Sequence, residues 1–377
     1  MAFILNNVRV LGQADRSVLA FDEAGITEAP AADARALDGH GLLLAPGLID
    51  LHGDAFERQL MPRPGVHFPI DLALLETDRQ MLANGITTAY HGLTWSWEPG
   101  LRGSEAAHAF VDAMARIKAD LACDTRLHLR HELANLDAVD TIVDWLAGGH
   151  IDLLAFNDHI HEILARRDNP EKMSVYAGRT GLKHDAFMDL LDSVHARRPE
   201  VPASLERLAA AANRAGVPVA SHDDNSPDMR RRMRALGSAI CEFPLDEATA
   251  REAVDAGEQS ILGAPNILRG GSHCGRLSAQ PAAGAGLCTV LTSDYYYPSM
   301  LHAVFRLADD GTLPLARAWD LVSANAADAV GLGDRGRIAT GRRADLVLVD
   351  DSDPALPRVV ATFVAGRLVH GSRHLAA

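Results

Sequence analysis

Histidines and carboxylates follow apolar runs at five places along this chain, in a pattern typical of metal ligands. The first run, residues 48–53 of "APGLIDLHGDAFER", carries His52 and is followed at once by Asp54. A spacing of two puts both side chains on one face of a strand. Neutral imidazoles and carboxylates bind divalent transition metals, and two metals bridged by hydroxide need about six such ligands. The complete candidate set is His52, Asp54, Glu132, His159, His222 and Asp294.

Each of these residues, taken alone, has an ordinary explanation. The chain has 17 histidines, and most of them are expected to be structural or solvated. A carboxylate at a strand end often caps the next helix, which would suit Asp158 and Asp224. The joint pattern over several strand ends therefore carries the prediction of a metal site. We predict no ligand role for His91, His128, His131 and His161.

A glycine-rich stretch, "GAPNILRGGSHCGR" at residues 263–276, is a candidate phosphate-binding loop. Its glycines allow close backbone approach, and Arg269 and Arg276 supply positive charge. It has neither Walker nor Rossmann spacing, so a flexible loop stays open as the alternative. The predicted substrate-binding residues are Arg269, Ser272, His273, Arg63 of "MPRPG", and Asp223 beside His222.

Bringing these residues together requires strands whose carboxyl ends meet. Eight apolar runs alternate with helical stretches over residues 47–335, which predicts an α/β fold, a (β/α)8 TIM-like barrel. The seventh run is short enough to be a loop. Residues 160–216 are too long for one crossover and predict an inserted helical segment, a candidate lid. The candidate ligands lie at the strand ends that carry catalytic groups in such barrels.

The two ends of the chain share a different pattern. Residues 1–46 and 336–377 contain short strands such as "AFILNNVRVL", "ADLVLVD" and "VVATFVAGRLVHG". Alternation and short apolar runs between turns are typical of β structure. We expect one small β-sandwich domain built from both termini.

Composition limits the class of partner. The net charge of -14 argues against nucleic acid and membrane surfaces, whereas a few arginines can still hold a small phosphorylated molecule. The four widely spaced cysteines contain no CxxC pair, so we expect reduced thiols and a cytoplasmic location. The sequence contains neither a signal-peptide pattern nor an apolar run of membrane-spanning length. A homodimer is the general expectation for such an enzyme.

Several motifs carry a family resemblance. "PGLIDLHGD", "GITTAYHG" and "GRIATGRRADLVLVD" resemble the amidohydrolase superfamily. More narrowly, "MPRPGV", "LHLRHEL", "NDH", "GSAICEFP", "GAPNILRGGSH" and "SDYYYPSML" are similar to its PhnM-like branch. The resemblance implies a metal-dependent diphosphatase of phosphonate metabolism. Its reaction would convert α-D-ribose 1-methylphosphonate 5-triphosphate to the 5-phosphate and pyrophosphate by metal-activated hydroxide.

The resemblance also implies residue roles and a cofactor. Two divalent ions are expected, zinc first, although manganese or iron would suit the same ligands. Asp294 would orient the attacking water and accept its proton, and Arg269, Ser272 and His273 would bind phosphoryl oxygens. Asp54 stands where most relatives have a second histidine. Because no lysine lies at a predicted strand end, Glu132 is expected to bridge the metals in place of a carbamylated lysine.

One segment departs from the branch. After "NDH" the chain continues "IHEILARRDNPEKM", where a segment with glycine and glutamine is expected. This leaves open a second interpretation, a hydrolase of C–N bonds, such as a deaminase or cyclic amidase, acting on another, phosphorylated or nucleotide-like small molecule. A third, an inactive barrel within a phosphonate-degrading assembly, is disfavoured because it has no use for a set of ligand-type residues.

Overall fold

The computed structural model describes residues 1–63, 65–272 and 275–372. The chain divides into two compact units. The first unit comprises Met1–Tyr90, Lys118–Arg126 and the chain from Gln259 onward, and the second unit comprises His91–Ile117 and Leu127–Glu258.

Short strands open the first unit. β1, β3, β4 and β5 form a four-stranded sheet in the order β4-β3-β1-β5, in which β1 lies antiparallel to β3 and parallel to β5. The strands are β1 Phe3–Asn6, β2 Arg9–Val10, β3 Leu19–Asp22, β4 Gly25–Thr27, β5 Arg35–Asp38 and β6 Leu43–Pro46.

The next strands belong to one eight-stranded sheet, in which they neighbour one another in chain order from β7 to β14. The pairings are parallel, as between β9 and β10, and helices separate the strands. The fold is the predicted (β/α)8 barrel. The seventh of these strands, β13, is a regular strand despite its short apolar run. The bounds are β7 Leu48–Gly53, β8 Ile86–Trp95, β9 Asp124–Glu132, β10 Leu153–Asn157, β11 Val219–His222, β12 Ile240–Glu242, β13 Gln259–Gly263 and β14 Val290–Thr292.

The last strands, β15 Leu346–Asp350, β16 Arg358–Val364 and β17 Arg367–Gly371, complete a five-stranded sheet in the order β17-β16-β15-β6-β2. β6 from the amino-terminal region therefore pairs antiparallel with β15 from the carboxyl-terminal region. Phe3, Phe21 and Phe363 pack ring against ring, with centroids 5.0–5.6 Å apart. Both ends of the chain thus share one apolar core. The domain limits expected near residues 46 and 336 stay a prediction.

Helices connect the strands, and several begin at a polar cap that satisfies a free backbone amide. The side chains of Asn169, Ser226 and Asp246 each accept a hydrogen bond from the third residue that follows. The helices are α1 Glu57–Leu60, α2 Ile70–Ala83, α3 Ser104–Ile117, α4 Val139–Ala147, α5 Ile160–Ala165, α6 Pro170–Thr180, α7 His184–Ala196, α8 Val201–Ala215, α9 Pro227–Ala235, α10 Glu247–Asp255, α11 Ala264–Leu268, α12 Ala279–Gly284, α13 Ser299–Asp309, α14 Leu315–Asp320 and α15 Ala324–Ala329, with 3-10 turns at Lys118–Asp120, Leu136–Ala138 and Arg198–Glu200.

The long connection between β10 and β11 holds α5 to α8. The insertion expected over residues 160–216 stays a prediction. Its helices pack around Met173, Phe187 and Leu191 in an apolar core that also includes Ala134 and Trp97. Trp97 stacks on Phe187 with a centroid distance of 6.2 Å. A movement of this segment as a lid stays a prediction.

Two further features bear on the environment of the protein. Within the described residues, Cys123, Cys241 and Cys288 are buried free thiols. None of the helices in those ranges combines the length and apolar character that crossing a membrane requires.

Candidate metal centre

His52, Asp54 and Asp294 form the first cluster, in the first unit. The backbone carbonyl of His52 accepts a hydrogen bond from the amide of Asp294, and the Asp294 carbonyl accepts one from the amide of Asp54, both at 2.9 Å. These bonds join the end of β7 to the end of β14. One ligand atom from each of the three side chains lies within 4.8 Å of the others.

Asp50, a residue not predicted for the site, stabilises the strand ends that carry the first cluster. Its buried carboxylate accepts hydrogen bonds from the hydroxyls of Thr292 and Ser293 and from the amide of Ser293 at 3.0 Å. A Cβ atom on Gly53 would lie 2.6 Å from Oδ2 of Asp50, so only glycine fits there. Burial raises the pKa of Asp50, although these hydrogen bonds oppose the rise. The sequence signal that could have identified Asp50 is its spacing of two residues from His52, which places both side chains on the same face of the strand.

His159, His222 and Asp223 form the second cluster, in the second unit. His222 ends β11, Asp223 follows it, and His159 precedes α5. Nε2 of His159 lies 3.6 Å from Oδ2 of Asp223, and Nδ1 of His222 lies 3.6 Å from its Oδ1. One ligand atom from each residue lies within 4.8 Å of the others. Asp223, predicted for substrate binding, therefore lies among atoms that could hold a metal ion.

Glu132, the last residue of β9, contacts the second cluster through His159. Its Oε1 lies 2.5 Å from Nδ1 of His159, and Oε2 accepts a hydrogen bond from the His159 amide at 3.2 Å. Burial opposes ionisation of Glu132, but the contacts with His159 outweigh it and lower its pKa to about 2. Burial also opposes the charge on His159, yet Asp223 and Glu132 raise its pKa to about 9.

Strand ends in both units adopt backbone conformations that non-glycine residues rarely take. Asp223, Phe243 and Asp294 have φ values of 59°, 52° and 55°. Each follows a barrel strand by one or two positions. Such conformations cost on the order of 1–3 kcal/mol and persist where the surrounding structure imposes them. They identify these strand ends as functional candidates.

A buried polar group lies beside His222 and was missed in the sequence. Glu242 ends β12, and its Oε1 lies 3.7 Å from Nε2 of His128. Nη2 of Arg130 lies 3.3 Å from Nε2 of His222. Burial raises the pKa of Glu242. The sequence signal that could have identified Glu242 is its position at a strand end, but the apolar run that precedes it is short.

The predicted phosphate loop lies in the first unit, after β13. Arg269 is exposed and donates a hydrogen bond from Nη1 to the Tyr295 hydroxyl at 3.1 Å. The Ser272 hydroxyl accepts from the amide of Arg276 at 3.1 Å. Arg63 is exposed. His273 lies outside the described residues, and the substrate-binding assignments stay predictions.

The donor atoms of both clusters suit divalent metals. Each cluster combines imidazole nitrogen with carboxylate oxygen, the set that zinc, manganese and iron share. Residues 73–370 match the model of the family described as "Amidohydrolase family". This chain belongs to the amidohydrolase family.

Two curated proteins are similar in sequence to this amidohydrolase. It is 34% identical over 326 residues to the alpha-D-ribose 1-methylphosphonate 5-triphosphate diphosphatase of Escherichia coli (strain K12), covering 84% of this chain and 86% of that protein. It is 28% identical over 347 residues to an adenine deaminase of Methylobacterium nodulans, covering 87% of this chain but only 51% of the deaminase. The chain thus spans about half the length of that relative.

The structural match extends over the whole fold. A solved amidohydrolase from an environmental sample of the Sargasso Sea has a TM-score of 0.68 at 15% identity, covering 98% of this chain and 93% of that one. A sequence identity this low is evidence for a shared fold only. Family and relatives together make this amidohydrolase a hydrolytic enzyme.

Proposed function

We propose that this amidohydrolase is a metal-dependent diphosphatase that converts α-D-ribose 1-methylphosphonate 5-triphosphate to the 5-phosphate and pyrophosphate. The observation that carries the proposal is 34% identity to a diphosphatase of that specificity over most of both chains. The two ligand-type clusters support a metal-dependent reaction. The buried free thiols suit a cytoplasmic enzyme.

The metal-holding residues divide between the clusters. His52, Asp54 and Asp294 would hold one ion, and His159, His222 and Glu132 would contribute to the other, with zinc expected first and manganese or iron suited to the same atoms. A bound divalent ion acts as a Lewis acid and lowers the pKa of a coordinated water towards neutrality. The predicted bridging role of Glu132 is part of this proposal.

The remaining chemistry belongs to side chains of this protein. Asp294 would accept the proton of the attacking water and deliver it to the leaving group. Its hydrogen-bonded backbone holds it beside His52 and Asp54. Arg269 would bind phosphoryl oxygens and offset the negative charge that accumulates at phosphorus.

Hydrolysis of a C–N bond is the second candidate. It is favoured by the 28% identity to an adenine deaminase over 87% of this chain. The same metal-holding residues would serve it, with Asp294 protonating the leaving nitrogen. The charged segment after His159 is where a different substrate would be accommodated.

Phosphorus NMR on the metal-loaded protein separates the two candidates. We expect rapid pyrophosphate release from the ribose triphosphate and little from ATP, tested in parallel. Adenine deamination is followed by absorbance on the same sample. Asp294→Asn is the inactive control. Deamination without pyrophosphate release, from protein shown to hold two metal ions, would reject the diphosphatase in favour of the C–N hydrolase.

A further inference from the structure

Tyr295 contacts two arginines that come from distant parts of the first unit. The guanidinium carbon of Arg58, in α1, lies over its ring at 5.6 Å from the centroid. Nη1 of Arg269, which follows α11, donates to its hydroxyl at 3.1 Å. The electron-rich face of a tyrosine attracts a cation, and its hydroxyl oxygen accepts a hydrogen bond. One side chain therefore holds two positive charges in place.

Neither arginine has a carboxylate within ion-pair distance in the described ranges. Arg58 and Arg269 are both exposed, and in that part of the chain neither forms an ion pair with a carboxylate. Other exposed arginines differ, since Arg167 pairs with Asp192 and Arg337 pairs with Asp328. Two arginines without an ion-pair partner, held at one tyrosine, are therefore a local concentration of positive charge in a chain whose net charge is -14.

The position of these arginines links them to the first cluster. Tyr295 directly follows Asp294, and Arg58 lies four positions after Asp54. The backbone bond between the Asp54 amide and the Asp294 carbonyl joins the two segments at 2.9 Å. Arg58 is therefore carried by the segment that leaves β7, and Tyr295, which contacts both guanidinium groups, by the segment that leaves β14, whereas Arg269 lies on the connection after β13.

We propose that Arg58, Tyr295 and Arg269 form an anion subsite that binds the phosphate chain of the substrate. Arg58 and Arg269 contact phosphoryl oxygens, and Tyr295 is a positioning residue that orients both. The inference rests on the proposed function and deepens it, because it adds Arg58 as a second phosphate-binding residue and Tyr295 as the residue that positions it and Arg269.

The chemistry of arginine supports this assignment. A guanidinium offers five N–H donors in a planar fork that matches phosphate oxygens. Arg269 uses one nitrogen on the Tyr295 hydroxyl, and Arg58 lies over the Tyr295 ring. Several donors of each group stay available for a phosphate chain, which presents oxygen atoms along its length.

The test is calorimetric binding of inorganic pyrophosphate to the metal-loaded protein and its variants, with metal content measured for each. We expect Arg58→Gln and Arg269→Gln each to weaken binding about tenfold or more, because each removes charge-assisted hydrogen bonds. Tyr295→Phe keeps the ring for Arg58 and loses the acceptor for Arg269, so its effect is smaller. Tyr295→Leu removes both contacts. Arg367→Gln, an exposed change on β17, is the charge-matched control.

The kinetics give a second measurement. Arg58→Gln and Arg269→Gln should raise KM for the ribose triphosphate, with metal content unchanged. Pyrophosphate affinities within about twofold of the wild-type value, or an equal loss in Arg367→Gln, would overturn the subsite. Pyrophosphate binding that depends on both arginines, in a protein that hydrolyses no triphosphate, would leave the subsite standing and reject the diphosphatase. Hydrolysis unaffected by either change would reject the subsite alone.

Discussion

The two ligand clusters are held in place by different forces. In the first cluster, backbone hydrogen bonds join the end of β7 to the end of β14. The buried carboxylate of Asp50, on β7, also accepts a hydrogen bond from the Ser293 amide at the end of β14. In the second cluster, side chains hold one another, most closely His159 and Glu132 at 2.5 Å. We therefore expect the first arrangement to persist when a ligand side chain is changed. The second depends on the charges of its own members.

The largest effect is expected for Asp294→Asn, in the first cluster. Loss of the proton acceptor should reduce kcat about 10²–10⁴-fold, the range of general acid–base catalysis. Because backbone bonds hold this strand end, the fold should be unchanged, as measured by urea unfolding. Asp309→Asn, an exposed change on α13, is the control. Activity within tenfold of wild type would remove Asp294 from its proposed role.

Arg230→Met tests whether a buried ion pair stabilises the strand that carries the second cluster. Arg230 is fully buried, and Nη1 lies 3.0 Å from Oδ2 of Asp224, two positions after His222. Breaking a buried pair leaves an uncompensated charge, so we expect a loss of about 3–5 kcal/mol in the free energy of unfolding.

Arg231→Met is the matched control for Arg230. Arg231 pairs with Glu252 at 2.7 Å but is half exposed, so its removal should cost about 0–1 kcal/mol. Urea unfolding of both variants measures the difference. Equal stabilities would mean that the buried network does not hold β11.

Glu132→Gln tests the dependence of the second cluster on charge. The amide cannot supply the negative charge that His159 faces, so we expect metal affinity at one site to fall about 10- to 100-fold. Metal titration measures it, with Asp137→Asn, on an exposed carboxylate nearby in sequence, as the control. A Glu132→Gln protein with two tightly bound ions would contradict both the bridging role and the proposed metal-holding set.

Asp50→Asn, next to the first cluster, is expected to have the smallest effect of these changes. It distinguishes a role of Asp50 in strand stability from a role in metal binding. It replaces the acceptor of several buried donors by a group that matches only some of them, so we expect a loss of about 1–3 kcal/mol. The loss should appear in urea unfolding, with Asp71→Asn on α2 as the control. Weaker metal binding at unchanged stability would show that Asp50 acts on the ligands rather than on the strands.

Much of the barrel was predictable because its signals are local. Apolar runs of strand length, alternating with helical periodicity, marked all eight barrel strands, including β13, whose apolar run is short. The same runs showed which side chains follow a strand end. Glu242 and Asp50 were missed because one lies on a three-residue strand and the other is a carboxylate within an apolar run.

The sequence by itself determined the order of the strands and the ligand-type residues at their ends, since both depend on neighbours in the chain. Only the tertiary structure decided which of those residues meet. The hydroxyl of Thr292 reaches Asp50 across 242 positions, and Arg269 reaches Tyr295 across 26. Such contacts depend on how the strands pair and where their connecting loops return, which no local pattern encodes.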